Sequence, residues 1–291
     1  MVSESASADR PPKSSETSET SETSETSAVC TRVRTLVPAP HVLANVATFM
    51  KSPRLMKYVC LFDIDGTLLR TGGAGQRAME RALTEVFGVP HPNEEIPAAG
   101  RTDRAITSDL FAHHELEPDD QQWQQFQTVY FGHLQTTLRE LDGMILPGIA
   151  SLLDRLATRS DVTLGLLTGN FREAARLKLE HHAIDHHFAF GGYGDQHHDR
   201  DDVARVAWGE ACRHLGRDID PRAVCVIGDT PSDVKCARAI GARAIAVATG
   251  MFSAEELART EPDELYLDFA DPDLFLSRLD QAMSAMAGSP V

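Results

Sequence analysis

From residue 58 the chain alternates short, unbroken apolar runs with longer stretches of helical period. The runs are YVCLFD (58–63), VTLGLLT (162–168), FAFGG (188–192), AVCVIGD (223–229) and ARAIAVA (242–248); helical spacing covers 148–159, 171–182, 201–215 and 231–241. Continuous apolar strands separated by helices predict an α/β fold whose parallel sheet is buried on both faces. Ligands of such sheets gather beyond the carboxyl ends of the strands, and three runs end in reactive side chains, Asp63, Thr168 and Asp229. The alternation breaks over 76–146, where QRAMERALTEVFG, DRAITSDLFAHH and DDQQWQQFQTVYFGHLQTTLREL have helical spacing and no strand. This block reads as a helical insertion, a lid or small second domain, closed off by Pro147-Gly148. The α/β core is then 58–75 together with 147–291.

Ahead of it, residues 1 to about 28 are of low complexity, and their repeated Ser-Glu-Thr triplet has no apolar residue to bury, so they are expected to be disordered. HVLANVATFM (41–50) fits a short helix on the domain or a loosely held arm, which makes 1–57 an extension. The net charge of −15 argues against general nucleic-acid binding, which rests on cationic contacts to phosphate. It leaves room for a small anion at a locally positive or metal-bearing site. The five cysteines are scattered and form no C-x-x-C pair, as expected of reduced core thiols in a cytoplasmic protein. No apolar stretch approaches the ~18 residues that span a bilayer, and the N-terminus has neither a secretory nor a mitochondrial pattern.

The chemistry concentrates in FDIDGT. With a strand's period of two, Asp63 and Asp65 can point the same way, and Gly66 permits a tight departure of the backbone. Two such close carboxylates need a cation or a shared proton. Mg2+, a hard ion taking oxygen ligands, meets that need. The pair suggests a nucleophile and a proton-transfer group, although an Asp-Gly turn with Asp63 as a cap would look the same in isolation. LLTGN places Thr168, Gly169 and Asn170 before a helix, where a hydroxyl and free N–H groups can hold a phosphate oxygen. VIGDTPSD adds Asp229 and Asp233, able to complete or orient a metal site, and Lys178 or Arg200 could supply a cation.

Taken in order, these motifs resemble those of the haloacid dehalogenase superfamily, of the phosphoglycolate-phosphatase-like kind, over roughly 58–285. The resemblance implies a Rossmann-like three-layer core with a helical cap between the first and second motifs. It implies a Mg2+-dependent phosphomonoester hydrolase acting on a small phosphorylated metabolite, with phosphoglycolate the first candidate. Asp63 would attack phosphorus, Asp65 would protonate the leaving oxygen and then activate water, and Thr168 with nearby backbone would hold the phosphoryl group. Metal positions would be Asp63, the Asp65 carbonyl, Asp229 and, behind them, Asp233; Gly66, Thr67, Gly169 and Asn170 fall among the substrate-binding positions. Related phosphatases carry a Lys-Pro pair where this chain reads GGYGDQHHDRDDVARVA. Arg200, just before a helix, is the first choice for the missing cation and Lys178 the second.

In the insertion, Gly100-Arg101-Thr102-Asp103 resembles the cap's specificity loop, with Arg101 able to meet a substrate carboxylate; it equally fits a helix start with Thr102 or Asp103 as N-cap. TGGAG (71–75) would be the hinge. Two other readings keep the fold: a sugar phosphomutase of the β-phosphoglucomutase type, and a non-catalytic regulatory or binding protein. The histidines His181, His182, His186, His187, His197 and His198 could be drawn into a zinc site, but their place on a helix end and loops favours solvated surface. The Gln and aromatic stripe at 121–131 reads as packing within the cap.

Overall fold

The structure is a computed structural model and describes residues 57–90, 92 and 96–287. The Ser-Glu-Thr repeats and HVLANVATFM lie outside the described residues. The chain begins with β1 (Tyr58–Phe62), β2 (Leu69–Arg70), α1 (Ala74–Phe87), α2 (Asp103–His113), α3 (Asp120–Glu140) and β3 (Met144–Ile145). It continues with α4 (Ile149–Ala157), β4 (Val162–Leu167), α5 (Arg172–His181), β5 (Gly191–Gly192), α6 (Arg200–Leu215) and β6 (Val224–Gly228). α7 (Pro231–Ile240), β7 (Arg243–Val247), α8 (Ala254–Ala258), β8 (Glu264–Tyr266) and α9 (Pro272–Ala287) complete it.

Six strands form one parallel sheet in the order β5-β4-β1-β6-β7-β8. β1 is buried at every position and lies between β4 and β6, with Phe62 opposite both Leu166 and Ile227. α6 and α7 pack on each other and on the strands, and α4 packs on β4 and against α9. The chain runs outward from β1 to β4 and β5, then crosses over to β6. A crevice opens at such a reversal beyond the strand ends, and Asp63 and Asp229 stand there. Cys60, Cys225 and Cys236 are free thiols in this core. Among the described residues no helix is long and apolar enough to cross a membrane.

Two expectations change. FAFGG is a strand only at Gly191–Gly192; before it the Phe190 carbonyl still accepts from the Leu166 N–H (3.0 Å). The Phe190 ring fills the space beside Gly165, where a Cβ would come within 2.4 Å of it. The second change is an antiparallel ribbon, Leu69 opposite Ile145 and Arg70 opposite Met144, that flanks the insertion. Two residues a side are too few for a period of two to register in the sequence.

The insertion's three helices appear within two residues of their predicted spans. Ala74, Ala78 and Ala82 recur every fourth residue along α1, and Phe126, Tyr130, Leu134 and Leu138 do so along α3. The small stripe lets the large one approach closely. Phe171, Ala174 and Leu177 belong to the same buried cluster. The insertion's core is therefore closed by α5 and is not self-sufficient. The Gln and aromatic stripe packs as expected, with Trp123, Phe126 and Tyr130 in ring contact with Phe111 or Phe171. At the entry to α1, Gly72 and Gly73 have φ of +63° and +89°, backbone that a Cβ makes about 1–2 kcal/mol less favourable per residue.

Candidate active site

Asp63 follows β1 directly, its N–H donating to the Ile227 carbonyl (2.9 Å), so the partner strand fixes where the carboxylate emerges. Asp229 leaves β6 beside it. Oxygens of Asp63, Asp229 and Asp233, all buried, lie within 4.8 Å of one another. One buried cation answers them: an Arg200 NH2 group lies 2.6 Å from Asp233 and 3.3 Å from Asp63. Burial pushes the Asp63 carboxyl up to about 7; Arg200 opposes this, and the charges of Asp233 and Asp65 add to it. Burial, then the charges of Asp233 and Asp63, push Asp229 up to about 8. Burial works against the charge on Arg200, but Asp233 and Asp63 outweigh it and hold the guanidinium protonated.

Three carboxylates against one guanidinium leave an excess of negative charge in a dry site, which a hard divalent cation with oxygen ligands would offset. The space around Asp229 is kept clear for its carboxylate, since a Cβ on Gly66 would come within 2.4 Å of an Asp229 oxygen and one on Gly250 within 1.6 Å. The donor set thus fits Mg2+. Asp233 is also held by its own turn, accepting from the Thr230 N–H (3.0 Å) and hydroxyl (2.7 Å). Thr67, expected among substrate-binding positions, is fully buried and donates to Asp229 (3.0 Å). Its hydroxyl orients a carboxylate.

The second aspartate faces a different set of partners. One oxygen of Asp65 accepts from Lys178 Nζ (2.6 Å) and from Asn170 Nδ2 (2.8 Å), while Asn170 Oδ1 accepts from the same ammonium (2.6 Å). Asn170 Nδ2 also donates to the fully buried Thr168 hydroxyl (2.8 Å). Lys178 and Arg200, expected as alternatives, are both present: Lys178 sits on Asp65, and Arg200 on Asp63 and Asp233. Arg200 is the first residue of α6, not the residue before it. A cavity of about 610 Å3 opens over these groups and is bounded by Asp63, Asp65, Gly169, Asn170, Lys178, Arg200 and Asp229, with cap residues opposite.

The sequence pattern of the haloacid dehalogenase-like hydrolases matches residues 59–241. The chain belongs to this family. A phosphoglycolate phosphatase from Synechococcus elongatus is 29% identical over 215 residues, covering 70% of this chain and 90% of that protein. Among solved structures, a predicted phosphoglycolate phosphatase from Haemophilus somnus aligns with TM-score 0.57 at 18% identity, over 77% of this chain and 98% of that one. CbbY from Rhodobacter sphaeroides, in complex with xylulose-(1,5)-bisphosphate, aligns at 0.58 and 20% identity, over 74% and 96%. At these identities the two structures speak to the fold.

In this hydrolase the cap loop is docked on the core. Thr102 caps α2, accepting from the Ala105 N–H (3.1 Å), while its own hydroxyl donates to the His198 carbonyl (3.3 Å). Asp103 reaches further: its N–H donates to the Gly169 carbonyl (2.7 Å), and its carboxylate accepts from the Phe171 N–H (2.8 Å). The Asp195 carboxylate accepts from the next amide, Arg172 (2.9 Å). The start of α5, which carries no side-chain cap of its own, is thus capped from two distant places. The loop fits closely, because a Cβ on Gly169 would sit 2.0 Å from the Arg101 carbonyl. GRTD, with its two readings, was the only sign of Asp103; its target could not be read. Burial pushes the Asp103 carboxyl up to about 6, with Lys178 opposing. Asp103→Ala is expected to lower kcat/KM on an aryl phosphate about tenfold, mainly through KM, for one charge-assisted bond lost. Asp103→Asn keeps an acceptor for Phe171 and should restore most of it. Equal losses in the two variants would locate the effect elsewhere.

Arg101 lines the cavity, but its guanidinium is bound to Asp109 (2.5 Å) and donates to the Pro97 carbonyl (3.0 Å). Among the described residues no histidine belongs to a potential metal-binding group. Among the described residues the one such group is the Asp63, Asp229 and Asp233 cluster. His181 meets His182 edge-on, His186 lies tilted against His187, and His198 meets the Ser108 hydroxyl (3.1 Å).

Proposed function

We propose that the chain is a Mg2+-dependent phosphomonoester hydrolase acting on a small phosphorylated metabolite through an aspartyl-phosphate on Asp63. The observation that carries this is the separation of partners: Asp63 is grouped with Asp229, Asp233 and Arg200, while Asp65, two residues on, faces Lys178 and Asn170 across the same cavity. Mg2+ bound by the Asp63 and Asp229 carboxylates and the Asp65 main-chain carbonyl, with Asp233 behind them, would neutralise charge on the phosphoryl group. An Asp63 oxygen bonds to phosphorus as the ester P–O bond breaks, and Asp65 delivers a proton to the departing alkoxide. Asp65 then removes a proton from water as the water oxygen bonds to phosphorus, and the Asp63–phosphorus bond breaks. Arg200 and Lys178 hold the two carboxylates in place and offset charge at opposite sides of the site, and Thr168 with the nearby backbone holds phosphoryl oxygens.

The test is Mg2+-dependent release of phosphate from an aryl phosphate, then from a panel of phosphorylated metabolites that includes phosphoglycolate, named by the cyanobacterial relative. Turnover no greater than that of Asp63→Asn on every ester would sink the reading.

A stability measurement bears on the metal. Folded Asp63 and Asp229 titrate at about 7 and about 8, against 3.8 for an ordinary aspartate. Between those limits the folded state holds more protons than the unfolded one, so stability falls as pH rises. The metal-free protein should therefore lose Tm from pH 6 to pH 8.5, and Mg2+ should raise Tm more at pH 8.5 than at pH 6. A metal-free Tm that climbs over this window, with no larger Mg2+ effect at the alkaline end, would contradict the assignment.

A further inference from the structure

Beyond the charged catalytic groups, the cavity is walled in large part by apolar side chains. Its wall there includes Met79, Ile96, Ile106 and Leu110. Two carboxylates, Glu80 and Asp103, lie along the same wall, and the Arg101 guanidinium beside them is already paired with Asp109. A leaving group bearing its own carboxylate would meet apolar surface and like charge. Arg70, at the ribbon, lines the cavity with no carboxylate partner among the described residues; its guanidinium donates to the Thr249 carbonyl. At about 610 Å3 the cavity also exceeds the needs of a two-carbon acid, and falls in the range of ~300–1,000 Å3 that encloses much larger ligands.

Tyr130 also borders the cavity. The Tyr130 side chain is 1% exposed and set among Phe126, Phe131 and Phe171, yet the residue lines the cavity. Its hydroxyl makes no hydrogen bond among the described residues and is free to donate into the cavity. It lies 3.9 Å from the point where a Cβ on Gly75 would stand, and Lys178 Nζ lies 3.8 Å from that same point. The hydroxyl and the lysine that binds Asp65 thus border the same stretch of the cavity, on either side of Gly75. Burial, with the charges of Asp103 and Asp65, keeps its phenol protonated and able to donate.

We infer, resting on the phosphatase reading above, that the site takes a phosphomonoester of an uncharged, largely apolar alcohol. The body of that alcohol lies against Met79, Ile96, Ile106 and Leu110, and the Tyr130 hydroxyl donates a hydrogen bond to it close to the ester oxygen.

The test uses the full chain with Mg2+ and three esters: benzyl phosphate, 4-carboxybenzyl phosphate and phosphoglycolate. Benzyl phosphate should have a kcat/KM at least ~10-fold above either carboxylated ester, and Tyr130→Phe should lower that value ~10-fold, mainly through KM. Turnover of either carboxylated ester as fast as that of benzyl phosphate would overturn the inference. If Arg70→Gln abolished such a preference, the leaving group would belong to the mouth of the cavity. A Tyr130→Phe variant with unchanged kinetics would overturn the hydroxyl contact. Failure of all three esters to exceed the Asp63→Asn background would count against the phosphatase reading, and binding would then decide the ligand class. Calorimetry should find benzylphosphonate bound ~10-fold tighter than phosphonoacetate; equal or weaker binding would overturn it.

Discussion

Asp63→Asn is expected to remove turnover of every ester, by a factor of at least ~10^4, and at the same time to stabilise the metal-free protein at alkaline pH. The two effects share one cause. The carboxylate is buried at the end of the central strand, beside Asp229 and Asp233, and is pushed up to about 7. At pH 8.5 the folded protein must hold it ionised, whereas the unfolded chain does so freely. Asparagine is nearly isosteric, carries no charge, and leaves Arg200 its shorter contact, 2.6 Å to Asp233. The gain should be on the order of 1–2 kcal/mol, since the lost 3.3 Å contact with Arg200 offsets part of it. Thermal unfolding in chelator at pH 8.5 measures it. A variant less stable than wild type would mean that the Arg200 pairing outweighs the burial of charge at Asp63.

The second large effect separates the two cations. Arg200→Ala leaves three buried carboxylates without their counter-charge and should destabilise the protein by about 3–5 kcal/mol as well as abolish activity. Lys178→Ala should be far milder for the fold, because its partner Asp65 has a side chain 42% exposed and water can replace the ammonium. Activity should still fall ~10^2–10^3-fold, because Asp65, the proposed proton-transfer group, and Asn170 lose their shared partner. Denaturant unfolding and aryl phosphate kinetics on both variants give the comparison. Comparable destabilisation in both, or full activity in either, would undo this division of roles.

The either/or between these cations also marks how far the chain could be read without its fold. Arg200 and Lys178 lie 22 positions apart on different helices, and nothing in a linear pattern says that both turn toward one crevice. They do so because α5 starts just past the end of β4 and carries Lys178 back along the face that Asn170 opens, while α6 begins with Arg200 under Asp63 and Asp233. The surroundings of Thr67 are remote for a similar reason. Its place in the motif suggests substrate, and its direction is set by Asp229, 162 residues away.

What the sequence by itself determined was local in origin. Apolar runs of strand length ending in Asp63, Thr168 and Asp229 announced a parallel sheet with chemistry at its carboxyl edge, because burial and period act over a few neighbouring residues. The cap helices were legible for the same reason. Only the tertiary structure decided which carboxylate meets which cation, how Asp103 reaches the start of α5, that the cap's core is completed by Phe171, Ala174 and Leu177, and that the Tyr130 hydroxyl faces the cavity. Each of these depends on a distance between residues remote in the chain. Such distances follow from strand order and helix packing, which no local preference encodes.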